Sequence, residues 1–246
     1  MVQAPLVERV LDMAGAVFFR VRSFAPLPVI FVAISQSWRS HVHPGPGGAE
    51  VDSILNLVGL GLCLLGAGIR FATVGFVPAG TSSQSRQLHS HALNTDGPYA
   101  VVRHPLYLGN LFITVGLLSI THEPWAYLLG LSYFWLSHLL IIRAEEALLR
   151  RTFTTQYEQW AAQVPSWIPK VSALKSLKGP FAWTRAIQRE VNPLVGWGMG
   201  ATLLIMWEFF ARSQLTPTLG WLGFEALGLF LVLLIVNKVW KKWRRA

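Results

Sequence analysis

Long apolar blocks separated by short polar breaks set the plan of this chain. The pattern predicts membrane-spanning helices at residues 25–38, 51–77, 105–120, 124–142, 192–210 and 215–237. The run at 25–38 is short and works as a span only if its helix begins earlier or tilts. Residues 5–23 alternate apolar and charged positions and predict an interfacial amphipathic helix rather than a cleaved leader, because Glu8 and Asp12 interrupt the apolar core. The break Thr121-His122-Glu123 is too short for anything but a tight helical hairpin. The polar stretch after residue 142 predicts a helix leaving the bilayer, then a second short helix and a stop at Pro165 and Pro169. The fold class predicted is all-α: a polytopic bundle of about six spans. It divides into an N-terminal segment with the first span (1–50), a core (51–169), and a basic linker with a C-terminal hairpin and basic tail (170–246).

Composition sharpens this. Of 246 residues, 52% are hydrophobic and only 13% charged, which excludes an ordinary soluble domain. Cys63 is the only cysteine, so an internal disulfide and a cysteine metal cluster are excluded. The net charge of +9 would suit nucleic acid, but its distribution points to a membrane surface. If both termini share one side, that side carries eighteen Lys/Arg and the other only Arg39 and Arg212, with Arg70 left inside a span. That asymmetry predicts cytoplasmic termini and a basic tail on anionic headgroups, with no nucleic-acid partner. Arg70 at membrane depth costs about 2.5–3.5 kcal/mol, so it either faces protein or snorkels to the surface. Gly59, Gly61, Gly66 and Gly68 offer a small-residue face for close helix packing. The His41/His43 pair lacks a third ligand and reads as polar loop.

The chemistry concentrates in residues 94–110. Asp96-Gly97-Pro98 is a turn signal. His104 precedes proline and is therefore extended or a cap, and Pro105 suits a first helical position. A helix beginning there presents free N–H groups and a positive dipole end, a place for a carboxylate or phosphate, with Tyr107 in its first turn. Glu145 and Glu146 point about 100° apart on their helix. Glu145 shares an apolar face with Ile141 and Leu149 and is the candidate to face a pocket. Glu146 is spaced for local pairs with Arg143 and Arg150. His138 reads as a packed, hydrogen-bonded histidine.

Taken in order, Gly97-Pro98-Tyr99, Arg103-His104-Pro105-Leu106-Tyr107-Leu108-Gly109, Glu145-Glu146, Tyr157 and Trp167-Ile168-Pro169 resemble the isoprenylcysteine carboxyl methyltransferase family, part of a wider group with the phospholipid N-methyltransferases. The resemblance covers roughly residues 57–169. It implies an integral membrane enzyme using S-adenosylmethionine in a cytosolic-side pocket without a Rossmann domain. It implies cofactor contacts from Gln84, His91, Ala92, Leu93, Asn94, Tyr99, His104, Pro105, Leu106, Tyr107 and Glu145. The acceptor would be a lipid or lipidated molecule from the bilayer. One position departs: the eukaryotic enzymes place a substrate-binding arginine one turn before the cofactor glutamate, where this chain has Ile141. Arg143 or Arg103 would then orient a carboxylate acceptor, and Glu146 would assist an amine. The chemistry implies no metal. The last two spans lie outside the resemblance and would widen lipid access or support a homo-oligomer. Two other classes stay open: an NADPH-dependent membrane reductase of the sterol-reductase type, and a non-catalytic membrane protein on the same scaffold.

Overall fold

The computed structural model describes residues 13–15, 17–18, 48–77, 92–176, 180–211 and 216–243. The expected first span at 25–38, the His41/His43 loop, Gln84 and His91 lie outside the described residues. All regular structure among the described residues is helical. In chain order the helices are α1 (Gly48–Phe76), α2 (Pro98–Val101), α3 (Pro105–Ile120) and α4 (Pro124–Gln163), then a 3-10 turn (Val171–Ser176), α5 (Trp183–Ala211) and α6 (Pro217–Trp243). Four of them, α1, α4, α5 and α6, are long and apolar enough to cross a membrane, and α3 is a shorter apolar helix. The protein is an integral membrane protein.

α1 and α3 pack closely, backbone against backbone, at four glycines. A Cβ on Gly59 would lie 2.6 Å from the Gly116 carbonyl oxygen, and one on Gly109 would lie 2.8 Å from that of Gly66. Gly66 in turn meets the Gly109 carbonyl, and Gly116 that of Gly59. Gly61 and Gly68, expected on the same small face, point into open space. The face is therefore the seven-residue pair Gly59/Gly66, matched by Gly109/Gly116. Beside this seam sits a cluster of Cys63, Leu117, Ile120, Ala201 and Leu204, which brings α5 against both helices.

Arg70 faces protein rather than the surface. Its Nε and Nη2 donate to the two oxygens of Glu190 at 2.8 and 3.0 Å, and its Nη1 donates to Asn110 Oδ1 at 2.6 Å. The two-pronged pair ties α1, α3 and α5 together. The partner explains why α5 begins at Trp183, nine residues before the apolar run. Its first turns hold Arg185 and Glu190, polar residues consumed inside the fold. Arg185 donates to the carbonyls of Val74 and Gly75 at 3.1 and 3.0 Å, satisfying the end of α1.

α4 follows the expectation of a helix that outruns the bilayer. Thr154 breaks it with a φ of 40°, so the stretch to Gln163 is the predicted short second helix. α6 meets α5 through Asn237, whose Nδ2 donates to the Gln188 carbonyl and to Asn192 Oδ1. Only 6% of the most apolar window of α6 is buried, so Leu222, Phe224, Leu229 and Ile235 form a lipid-facing surface.

Gly66→Ala should push α1 and α3 apart and lower stability by about 1–3 kcal/mol. Gly61→Ala, where a methyl meets nothing, should leave it unchanged or slightly raised. Thermal unfolding in detergent of the two variants side by side checks this.

Candidate functional site

The site forms where α3 begins and α4 leaves the apolar layer. Gly97 takes a φ of 59°, open to glycine, and turns the chain so that Pro98 starts the single-turn α2. His104 caps α3 with φ −124° and makes no side-chain bond to the helix, and Pro105 takes the first helical position as expected. The ring of His104 is thereby free to turn toward α4.

Two contacts join the walls. The Tyr107 hydroxyl donates to Glu145 Oε2 at 3.0 Å. His104 Nε2 donates to Glu146 Oε1 at 2.8 Å, with Arg103 Nη1 3.3 Å from the same oxygen. Glu145 and Glu146 thus both meet the 94–110 stretch. For Glu146 this corrects the expected facing: it reaches across the fold to Arg103 and His104, while Arg150 pairs with Glu158 at 2.6 Å. Sequence spacing sees only partners on the same helix. The deciding partners lie 42 and 43 positions away, a proximity that the close α1–α3 seam and the tight Thr121-His122-Glu123 hairpin create together.

The segment after α4 clamps the other side of the stretch. Arg103 N–H donates to the Pro165 carbonyl at 2.8 Å, and Lys170 N–H to that of Val101 at 2.9 Å. Trp160 Nε1 donates to the Tyr99 carbonyl at 3.2 Å. Trp167 packs on Trp135 with centroids 4.8 Å apart. Burial pushes the Tyr99 phenol up, the Glu145 carboxylate adds to that, and Arg70 opposes it. Tyr99 therefore stays a neutral donor at working pH. His138 is a packed histidine as expected, stacked on Phe134 at 3.8 Å and bonded to its carbonyl. Its ring also meets Tyr107 edge-on at 5.3 Å, which steadies the tyrosine.

Ala92, Leu93 and Asn94 lie half-buried ahead of the turn, and Leu106 half-buried in the first turn of α3. Arg143 lines a groove of about 500 Å³ with Leu139, Ile142, Glu146, Ala147, Arg150 and Arg151, so the groove shares Glu146 with the His104 cluster. These seven positions repeat every three or four residues and form one stripe of α4. The sequence offered Arg150 only as a local partner of Glu146 and did not single out Arg151, although that spacing from Arg143 was the available signal. Ile141 is 1% exposed and belongs to the core, so the position that departs from the resemblance does not face this groove.

Residues 55–156 match the phospholipid methyltransferase family. The chain is 32% identical over 153 residues to the nickel-cobalt-cadmium resistance protein NccN of Alcaligenes xylosoxydans xylosoxydans, covering 61% of this chain and 70% of that one. It is 34% identical over 125 residues to a protein-S-isoprenylcysteine O-methyltransferase of Schizosaccharomyces pombe, covering 49% of this chain and 52% of that one. The chain belongs to one family with NccN. Its residues 55–156 resemble the phospholipid and isoprenylcysteine methyltransferases, which marks it as a methyltransferase. The cobalt-zinc-cadmium resistance protein CzcN of Cupriavidus metallidurans matches over 56% of this chain and 62% of its own length, at 28% identity. Several of these relatives are thus spanned over only about half to three fifths of their length. No solved structure matches the chain. The matched region contains Tyr99, His104, Tyr107, Glu145 and Glu146, and it ends before the segment that clamps Arg103.

Glu146→Gln keeps the shape of the wall but removes the charge that holds Arg103 and His104. It should lower stability by about 1–3 kcal/mol, read as a drop in the melting temperature of the detergent-purified protein. Arg150→Gln, which loses an exposed pair with Glu158 and a cation–π contact with the Tyr157 ring, should change it less.

Proposed function

We propose that this methyltransferase takes its methyl group from S-adenosylmethionine, bound between the start of α3 and Glu145, and passes it to a lipid or lipidated acceptor lying along α4. The observation that carries the reading is the Tyr107–Glu145 hydrogen bond, which joins the two walls at 3.0 Å.

The residues present fit such a donor. The first-turn N–H groups of α3 are not capped by the His104 side chain and favour a carboxylate. Arg103 Nε is buried and has no hydrogen-bond partner, leaving a donor available to an anionic group. Glu145 offers a carboxylate to an ammonium or to ribose hydroxyls. Tyr99 and Tyr107 offer aromatic faces suited to a cation or to adenine. When bound, S-adenosylmethionine supplies an already activated methyl group. The task of the chain is then positioning and the exclusion of water rather than acid–base work.

The α4 groove supports the acceptor side. Leu139 and Ile142 make its apolar end, and Arg143, Arg150 and Arg151 outnumber the one carboxylate, Glu146. Glu146 is already engaged with Arg103 and His104, which leaves it a weak base for an amine. An acceptor with an apolar tail and a negative group, such as a carboxylate, suits this lining best, with Arg143 orienting it. The charge asymmetry of the sequence supports a cytoplasmic position for both sites.

Calorimetry with S-adenosylhomocysteine and with NADPH tests the donor. The first should bind and the second should not; binding of NADPH alone would overturn the reading. Glu145→Ala should weaken S-adenosylhomocysteine binding by roughly a hundredfold and Tyr107→Phe by roughly tenfold, the loss of one charge-assisted hydrogen bond. Lipid extraction after labelling with radioactive methyl donor would then show whether Arg143→Ala removes a labelled lipid while donor binding persists.

A further inference from the structure

The far end of the bundle holds a second convergence of polar side chains. Asp52 comes from the start of α1, His122 from the turn between α3 and α4, and Glu208 from the last turns of α5. His122 Nδ1 lies 3.5 Å from Asp52 Oδ1 and 3.7 Å from Glu208 Oε1, and the three candidate ligand atoms all fall within 4.8 Å of one another.

Asn56 fixes the state of the imidazole. Its Nδ2 donates to Glu208 Oε2 at 2.9 Å, so its Oδ1 is turned to His122 Nε2 at 3.1 Å. An amide oxygen only accepts, so Nε2 carries the proton. In the neutral ring the Nδ1 lone pair then points between the two carboxylates. The His122 side chain is 8% exposed, and Nδ1 itself is buried without a hydrogen bond. Three electron-pair donors therefore face one another inside a membrane protein, where a cation between them relieves both the mutual repulsion and the cost of burying two negative charges.

We propose that Asp52, His122 and Glu208 bind a first-row divalent transition cation of the zinc class. Zinc takes nitrogen at about 2.0–2.1 Å and carboxylate oxygen at about 2.0–2.2 Å, so tetrahedral donors sit roughly 3.3–3.5 Å apart. The two His122 spacings need only a few tenths of an ångström of contraction, and the two carboxylates, within 4.8 Å of each other, close further around the ion. Two carboxylates balance the charge of the ion, the imidazole favours it over magnesium or calcium, and a water completes four-coordination. Asn56 holds the ring in the metal-binding tautomer from the second nitrogen. The ion would tie α1, the α3–α4 turn and α5 together at the end away from the methyl-transfer site. This inference does not rest on the methyl donor or its acceptor.

The full-length protein, purified in detergent and stripped with a chelator, is titrated with Zn2+ by calorimetry and followed by thermal unfolding. Wild type should bind about one equivalent and gain several degrees of melting temperature. His122→Asn suits the φ of 58° at this position, because asparagine tolerates left-handed backbone. It should lose more than about tenfold in affinity and lose the melting gain. Asp52→Asn should behave alike and serves where the histidine variant does not fold. Co2+ should give the intense visible absorption of a tetrahedral site in wild type and not in the variants. No stoichiometric Zn2+ binding in wild type would overturn the proposal. Equal binding and equal melting gains in both variants would overturn it by placing the metal elsewhere.

Discussion

The backbone-to-backbone seam of α1 and α3 is the constraint on which the rest depends. Gly59 and Gly66 receive the carbonyls of Gly116 and Gly109, and at these positions backbone meets backbone. Without water to drive apolar surfaces together, such close van der Waals contact is what holds helices in lipid. The seam also sets the position of Arg70. Its guanidinium reaches Asn110 on α3 and Glu190 on α5 at once because α1 and α3 lie so close. Removing Glu190 would leave a buried cation, so the ion pair and the seam reinforce each other. α3 begins at a fixed height against α1 for this reason, and His104 and Tyr107 are held opposite α4.

Much of the scaffold was legible because it depends on local chemistry. The boundaries of α3 follow from Pro105 at one end and a polar tripeptide at the other, and those signals act within a few residues. The turn at Gly97 and the extension of α4 beyond the apolar layer were readable on the same grounds. What escaped depends on distant partners. Arg185 and Glu190 look like surface linker until the end of α1 and Arg70 are placed beside them. Gly61 and Gly68 resemble Gly59 and Gly66 in sequence, and only the helix they face tells them apart. Glu145 meets Tyr107 across the fold, while the α4 groove is lined by Glu146. Glu146 departs from its expected pairing because its partners come from 42 and 43 residues earlier in the chain. The Asp52–His122–Glu208 convergence left no trace in spacing, since its members come from three separate segments.

The two polar centres sit at opposite ends of the same helices. α1 carries Asp52 near its start and Arg70 near its end, and α5 carries Glu190 and Glu208 in the reverse order. Charged groups are thus gathered at the ends of the bundle, while its middle is closed by Cys63, Leu117, Ala201 and Leu204. The Tyr107–Glu145 end lies within the region that matches the phospholipid methyltransferase family. The other end is a separate polar convergence on the same helices.

The stripe from Leu139 to Arg151 has an apolar beginning and a basic end on one continuous helix. On the proposed reading, the two reactants come from different phases, one dissolved in water and one confined to a two-dimensional sheet. Turnover would then follow the mole fraction of acceptor among the lipids rather than its bulk concentration. Diluting the bilayer with inert lipid would slow the reaction even at constant total acceptor.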